Sequence, residues 1–122
     1  MSKKPLEQLK RRVGEPINEV LLEYWIAEDD ELESMIAVGI TFSSGISFIL
    51  GCAGDGSVSV RKGELKGIPD ETQIRCDDSM KNTVLNAVSI SDGKIEFSTS
   101  SDTLVVSNVC DEIEVTKLPP PA

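Results

Sequence analysis

Acidic side chains are the residues of this chain whose types and spacing could do chemistry. They form two groups: Glu28, Asp29, Asp30 and Glu31 with Glu33 just beyond, and the pair Asp77 and Asp78. Paired carboxylates can run acid–base hydrolysis or hold a divalent cation. A calcium loop needs more oxygen ligands at fixed spacing than either group offers. Glycoside hydrolysis would want aromatic platforms for the sugar, and the chain has one Trp and one Tyr. Ser is abundant, but there is no His to activate it. Ser–His and Cys–His catalysis are therefore excluded, together with the zinc sites that use imidazole. Cys52, Cys76 and Cys110 show no C-x-x-C spacing and read as reduced thiols. Cys52 and Cys110 lie near apolar strands, where a buried small-hydrophobe role is expected.

Gly51-Cys52-Ala53-Gly54-Asp55-Gly56 is rich in glycine but is not a phosphate cradle. It lacks the Lys-Ser/Thr and the helix that must follow. Residues 57–61 alternate like a strand instead, so Asp55-Gly56 reads as a turn. No H-E-x-x-H or G-x-S-x-G motif occurs. The expectation is a chain that is not an enzyme and takes no cofactor and no metal. The acids then read either as a solvated tip that keeps two strands soluble or, in a functional role, as a docking patch for a basic surface. Glu28, Asp29, Asp30, Glu31 and Glu33 are the primary candidates, and Asp77 and Asp78 are secondary. Tyr24 and Trp25 alternate faces, so one belongs to the core. An exposed Trp25 beside the acids would be an interface anchor, because aromatic residues dominate hot spots.

The charge balance agrees. The net charge is -9, with 12 Lys and Arg against 21 Asp and Glu. Lys3, Lys4, Lys10, Arg11 and Arg12 sit in the first twelve residues beside the single acid Glu7, which leaves 7 basic and 20 acidic residues from Val13 onward. Such a body repels nucleic acid and anionic lipid and attracts a basic protein. No apolar run reaches the ~18 residues of a membrane helix. The basic N-terminus lacks an apolar h-region, which makes the cytoplasm the expected location.

The elements that must position these residues are mostly strands. A chain of 122 residues is one domain of ordinary size. Pro5, Leu6, Leu9, Val13 and Gly14 predict a short amphipathic helix over 5–13. Residues 17–61 form a first β unit. Val20, Leu22, Tyr24 and Ile26 share one face of its first strand. Ile36, Val38, Ile40 and Phe42, then Ile46 and Phe48, frame a central hairpin broken at Ser43-Ser44-Gly45. Residues 62–82 read as a connection lying over one edge of the sheet, with a helical turn near 70–75. Residues 83–117 form a second β unit with turns at 91–93, 100–102 and 111–112. The fold class is mainly β (α+β): antiparallel meander sheets forming a sandwich or an open barrel, with a short N-terminal helix.

Shifting the chain by 55 positions aligns the two units without a gap. Ile40 falls on Ile95, Phe42 on Phe97, Ser43 on Ser98, Val60 on Val115 and Lys62 on Lys117. This predicts a duplication of one strand pattern.

A Gly-Glu-Pro-Ile-x-Glu-Val opening at 14–20, the acid-tipped hairpin, Phe-Ser-x-Gly at 42–45 and a closing Asp-Gly-Lys-Ile-Glu-Phe…Leu-Val-Val…Ile-Glu-Val occur in this order. Over residues 14–118 the pattern resembles small, acidic, uncharacterised bacterial proteins, some of which accompany toxins as immunity proteins. The resemblance implies a cytosolic, non-enzymatic protein that blocks a basic toxin domain, such as a nuclease, by direct binding. The alternative is a structural or regulatory module that forms a homodimer through a free sheet edge.

Overall fold

The computed structural model describes residues 4–29 and 31–119. A helix, α1 (Lys4–Lys10), precedes nine strands: β1 (Ile17–Ile26), β2 (Leu32–Phe42), β3 (Ser47–Cys52), β4 (Val58–Lys62), β5 (Thr72–Cys76), β6 (Leu85–Ser91), β7 (Lys94–Thr99), β8 (Thr103–Val109) and β9 (Glu112–Leu118). A single 3-10 turn, Asp78–Met80, lies between β5 and β6. The strands form two antiparallel sheets, β4-β3-β2-β1-β5 and β6-β7-β8-β9. No helix among the described residues is long and apolar enough to cross a membrane.

The two sheets share one core. Val38, Ile40 and Phe42 of β2 meet Phe48 and Leu50 of β3 on one side of it. Ile95 and Phe97 of β7, Leu104 and Val106 of β8 and Ile113 of β9 close it from the other. Phe42 and Phe48 meet edge to face, with centroids 6.2 Å apart. Such a contact adds about 1 kcal/mol beyond area burial. Leu9 of α1 and Met80 of the 3-10 turn complete the core. At one corner the sheets are stitched: Pro16 bridges Val84, Ile17 N–H donates to the Thr83 carbonyl and Asn82 N–H to that of Ile17. The outer strands β4 and β9 each pair on one side only, so the barrel stays open.

The hairpins follow local chemistry. The turn at 43–45 holds Gly45 at φ 88, a value that suits glycine. β2 carries an extra residue at Ile36, since Glu23 pairs Ala37 while Tyr24 pairs Met35. This bulge breaks the alternation expected of 36–42. Met35 packs on the core, while Ile36 lines the outer face.

The segment 62–82 departs from expectation. It does not lie over one edge. It crosses the whole outer face of the five-stranded sheet, from β4 to β5 at the far edge. Gly63 rests by Ile49 of β3, Leu65 on Gly39 of β2, and Gly67 against Ile74 of β5. Residues 63–68 are thus a strap. The helical turn expected near 70–75 is strand β5, because β1 offers an open edge whose backbone groups need partners.

The sheets repeat the same meander twice, β1–β4 and β6–β9, with β5 added. The gapless residue match does not hold throughout. It holds the buried pairs Ile40/Ile95 and Phe42/Phe97 and the core-side pair Val60/Val115. It fails in the middle strand, where Leu104 and Val106 face the core while their shifted counterparts Ile49 and Gly51 do not. The β7–β8 turn (100–102) is one residue shorter than the β2–β3 turn (43–46), and an odd change in register flips every side chain.

Candidate binding surface at the acidic end

An antiparallel meander places alternate turns at the same end. The β1–β2 and β3–β4 turns point one way, as the register Ala37↔Gly51 requires. In the other sheet, the β6–β7 and β8–β9 turns point the same way. The Asn108 amide donates to the carbonyls of Ala53 (3.3 Å) and Ser57 (2.8 Å), clamping β8 to the β3–β4 turn. A Cβ built at Gly93 would lie 3.5 Å from the Gly56 carbonyl oxygen, so the β6–β7 turn touches the same place. All four turns therefore occupy one end of the molecule.

That end is acidic. Glu28, Asp29, Glu31 and Glu33 are exposed on the first hairpin, and Asp30 lies outside the described residues. Asp55, Asp92, Asp111 and Glu112 are exposed at the other three turns. The last four were not candidates from sequence, because chain order does not show which turns share an end. Within these turns and their flanking residues, Lys94 is the one Lys or Arg among the described residues. β2 runs on past the end of β3, so the first hairpin projects roughly 15 Å beyond its neighbour at strand rise. Asp55 accepts hydrogen bonds from the hydroxyl and backbone N–H of Ser57, which hold its carboxyl below the usual range.

Trp25 is 37% exposed and opposes Thr72 of β5 on the outer face, while Tyr24 is half-buried. The N-terminal helix does not cover Trp25, for it packs against β4. Its basic continuation turns back on itself, where Arg12 pairs with Glu15 at 3.0 Å.

Asp77 and Asp78 are not brought to this end. β5 runs away from the hairpin tip, from Thr72 opposite Trp25 to Cys76 opposite Leu21. Asp77 caps the 3-10 turn by accepting from Ser79 and pairs with Lys117 at 2.7 Å. Burial alone would raise its carboxyl, but the Lys117 and Ser79 hydrogen bonds outweigh it and hold the carboxyl below its ordinary value. Its role is structural. Asp78 is exposed and accepts from the Cys76 thiol at 3.2 Å, which pushes that thiol's pKa up.

The thiols also depart in part from expectation. Cys52 is half-buried against the core, and burial followed by the nearby Asp111 and Glu112 raises its pKa. Cys110 is exposed, not buried. It shares a two-residue turn with Asp111, both at positive φ (52 and 66), and this turn directs its side chain outward. Among the described residues no group of three or more Cys, Asp or Glu is placed to hold a metal ion.

One charged residue was missed from sequence altogether. Glu23 of β1 faces outward beneath the strap and is only 7% exposed. The available signal was an acid between Leu21 and Trp25 on one face, followed downstream by Gly-Glu-Leu-Lys-Gly.

No family model, no curated protein and no solved structure matches this chain.

Proposed function

We propose that this chain is a non-enzymatic binding protein of the immunity type, which acts in the cytoplasm and neutralises a basic toxin domain by covering it with the acidic end. One observation carries the reading: among the described residues, four turns distant in sequence present eight exposed acids at one end, against one lysine. Charge of this kind steers a basic partner, raises the association rate and excludes nucleic acid. The projecting hairpin supplies Glu28, Asp29, Glu31 and Glu33 as rim charges, and Trp25 on its outer face supplies an aromatic anchor. Neither Asp77 nor Asp78 belongs to this surface.

A second reading, self-association, is favoured by β6. From Asn86 to Ser91 this edge strand carries no charge and no proline, and Ile90 is exposed. Beyond the bonds made around Val84 and Leu85, its outer side has no strand partner among the described residues. Natural edge strands are commonly blunted by charge, and this one is not.

A photo-crosslinking residue placed at Asp29, or separately at Ser89 of β6, distinguishes the two in the producing cell. A basic protein captured from position 29 upholds the first reading. A crosslinked dimer from position 89 upholds the second. No adduct from position 29 removes the acidic end from any stable interface.

A further inference from the structure

The strap and the outer face of the five-stranded sheet border an open cavity of about 770 Å³. Its size is that of a small-molecule site, for which about 300–1,000 Å³ is usual. Its composition is unusual for a surface hollow. Ile36, Ile49 and Leu65 give it apolar walls. Glu23 lies at one side, nine-tenths buried, and its carboxylate has no hydrogen-bond or ion-pair partner among the described residues. Its oxygens are not fully enclosed, so the carboxylate faces the open cavity, where a cation brought by a ligand could reach it. Arg61, Lys62 and Lys66 line the same cavity, exposed, and they too have no ion-pair partner among the described residues. Glu64 on the strap is the only other acid lining it among the described residues and is exposed.

Glu23 and the cations cannot simply satisfy each other. β1 and β4 are separated by β2 and β3, so Glu23 and Arg61 stand three strand spacings apart, roughly 14 Å between backbones. Leu65 lies on Gly39 between them. The gap is apolar in the middle, negative at one end and positive at the other.

We propose that this cavity binds an amphipathic zwitterion, with an amine on Glu23, a carboxylate on Arg61 and its neighbouring lysines, and an apolar stem along Ile49 and Leu65. A free ω-amino acid has this chemistry, and so does a lysine at the C-terminus of a polypeptide. The site shares no residue with the acidic turns. Its failure would leave the proposed function standing, and the reverse also holds.

The test titrates the whole protein with 8-aminooctanoate, read by calorimetry and by amide chemical shifts. The expected result is one saturable site whose shifts centre on Glu23, Gly39 and residues 63–68. Glu23→Gln and Arg61→Gln should each weaken binding about tenfold, and octylamine and octanoate should each bind less tightly than the zwitterion. Arg61 is exposed on an edge strand, so that variant tests the site without touching the core. Absence of saturable binding at millimolar concentration overturns the proposal. So does a loss confined to one of the two variants. A peptide ending in free lysine, compared with its C-terminal amide, identifies the source. Binding of the free-ended peptide assigns a chain end, and binding of 8-aminooctanoate alone assigns a small molecule; either upholds the shared chemistry.

Discussion

Leu65 sits directly on Gly39: a Cβ at position 39 would stand 3.0 Å from both Cγ and Cδ1 of Leu65. The glycine is what lets the strap lie close to the sheet. Gly39→Ala should therefore lift Leu65 and destabilise the fold by about 1–3 kcal/mol, as overpacking does. Leu65→Ala in the same chain should restore part of that loss. Urea unfolding of both single variants and the double variant measures the coupling, and strict additivity would mean the strap does not press on Gly39.

Asn108 ties the two sheets together at the acidic end by donating to Ala53 and Ser57. Asn108→Ala removes both donations while each carbonyl keeps a backbone donor, Gly56 N–H for Ala53 and Ala53 N–H for Ser57, and should cost about 1 kcal/mol. Hydrogen exchange should quicken at 53–57 before it quickens in β2. Uniform change across the core would show that the clamp is not local.

The β8–β9 turn holds Cys110 and Asp111 at positive φ, a two-residue geometry that Asn-Gly fits better. Replacing the pair by Asn-Gly should stabilise the protein by about 0.5–1 kcal/mol in thermal or urea unfolding, since left-handed backbone strain is relieved. Loss of stability would mean that the Cys110 side chain makes a contact the turn depends on.

Much of the fold was legible because it rests on period-two spacing. Val38, Ile40, Phe42, Phe48, Ile95 and Phe97 all reach the core as their spacing predicts. What failed depended on events outside the local pattern. The extra residue at Ile36 inverts a face without changing composition. β5 is a strand because β1 had an open edge, which residues 72–76 do not reveal by themselves. The acids of the first hairpin were legible as a run. The joining of Asp55, Asp92, Asp111 and Glu112 was not, because contact between turns is set by sheet stacking. Asp77 looked like a free acid until Lys117, forty residues later, paired with it.

Asp77 should make stability depend on acid. Its folded-state carboxyl lies below its ordinary value, so its contribution is complete above the unfolded pKa of about 3.9 and is lost as pH falls through the folded value. Asp77→Asn should cost about 1 kcal/mol at pH 7. The gap from the parent should close below about pH 4. Urea midpoints at several pH values give the answer, and a gap constant with pH would assign the effect to the cap alone.

The most direct test of the acidic end is the association rate of the basic protein captured from position 29, measured against the Asp29→Lys, Glu31→Lys double variant across a range of salt. Steering by these acids predicts association slowed by about tenfold or more, with a flatter dependence on ionic strength. An unchanged rate and an unchanged salt slope would contradict it.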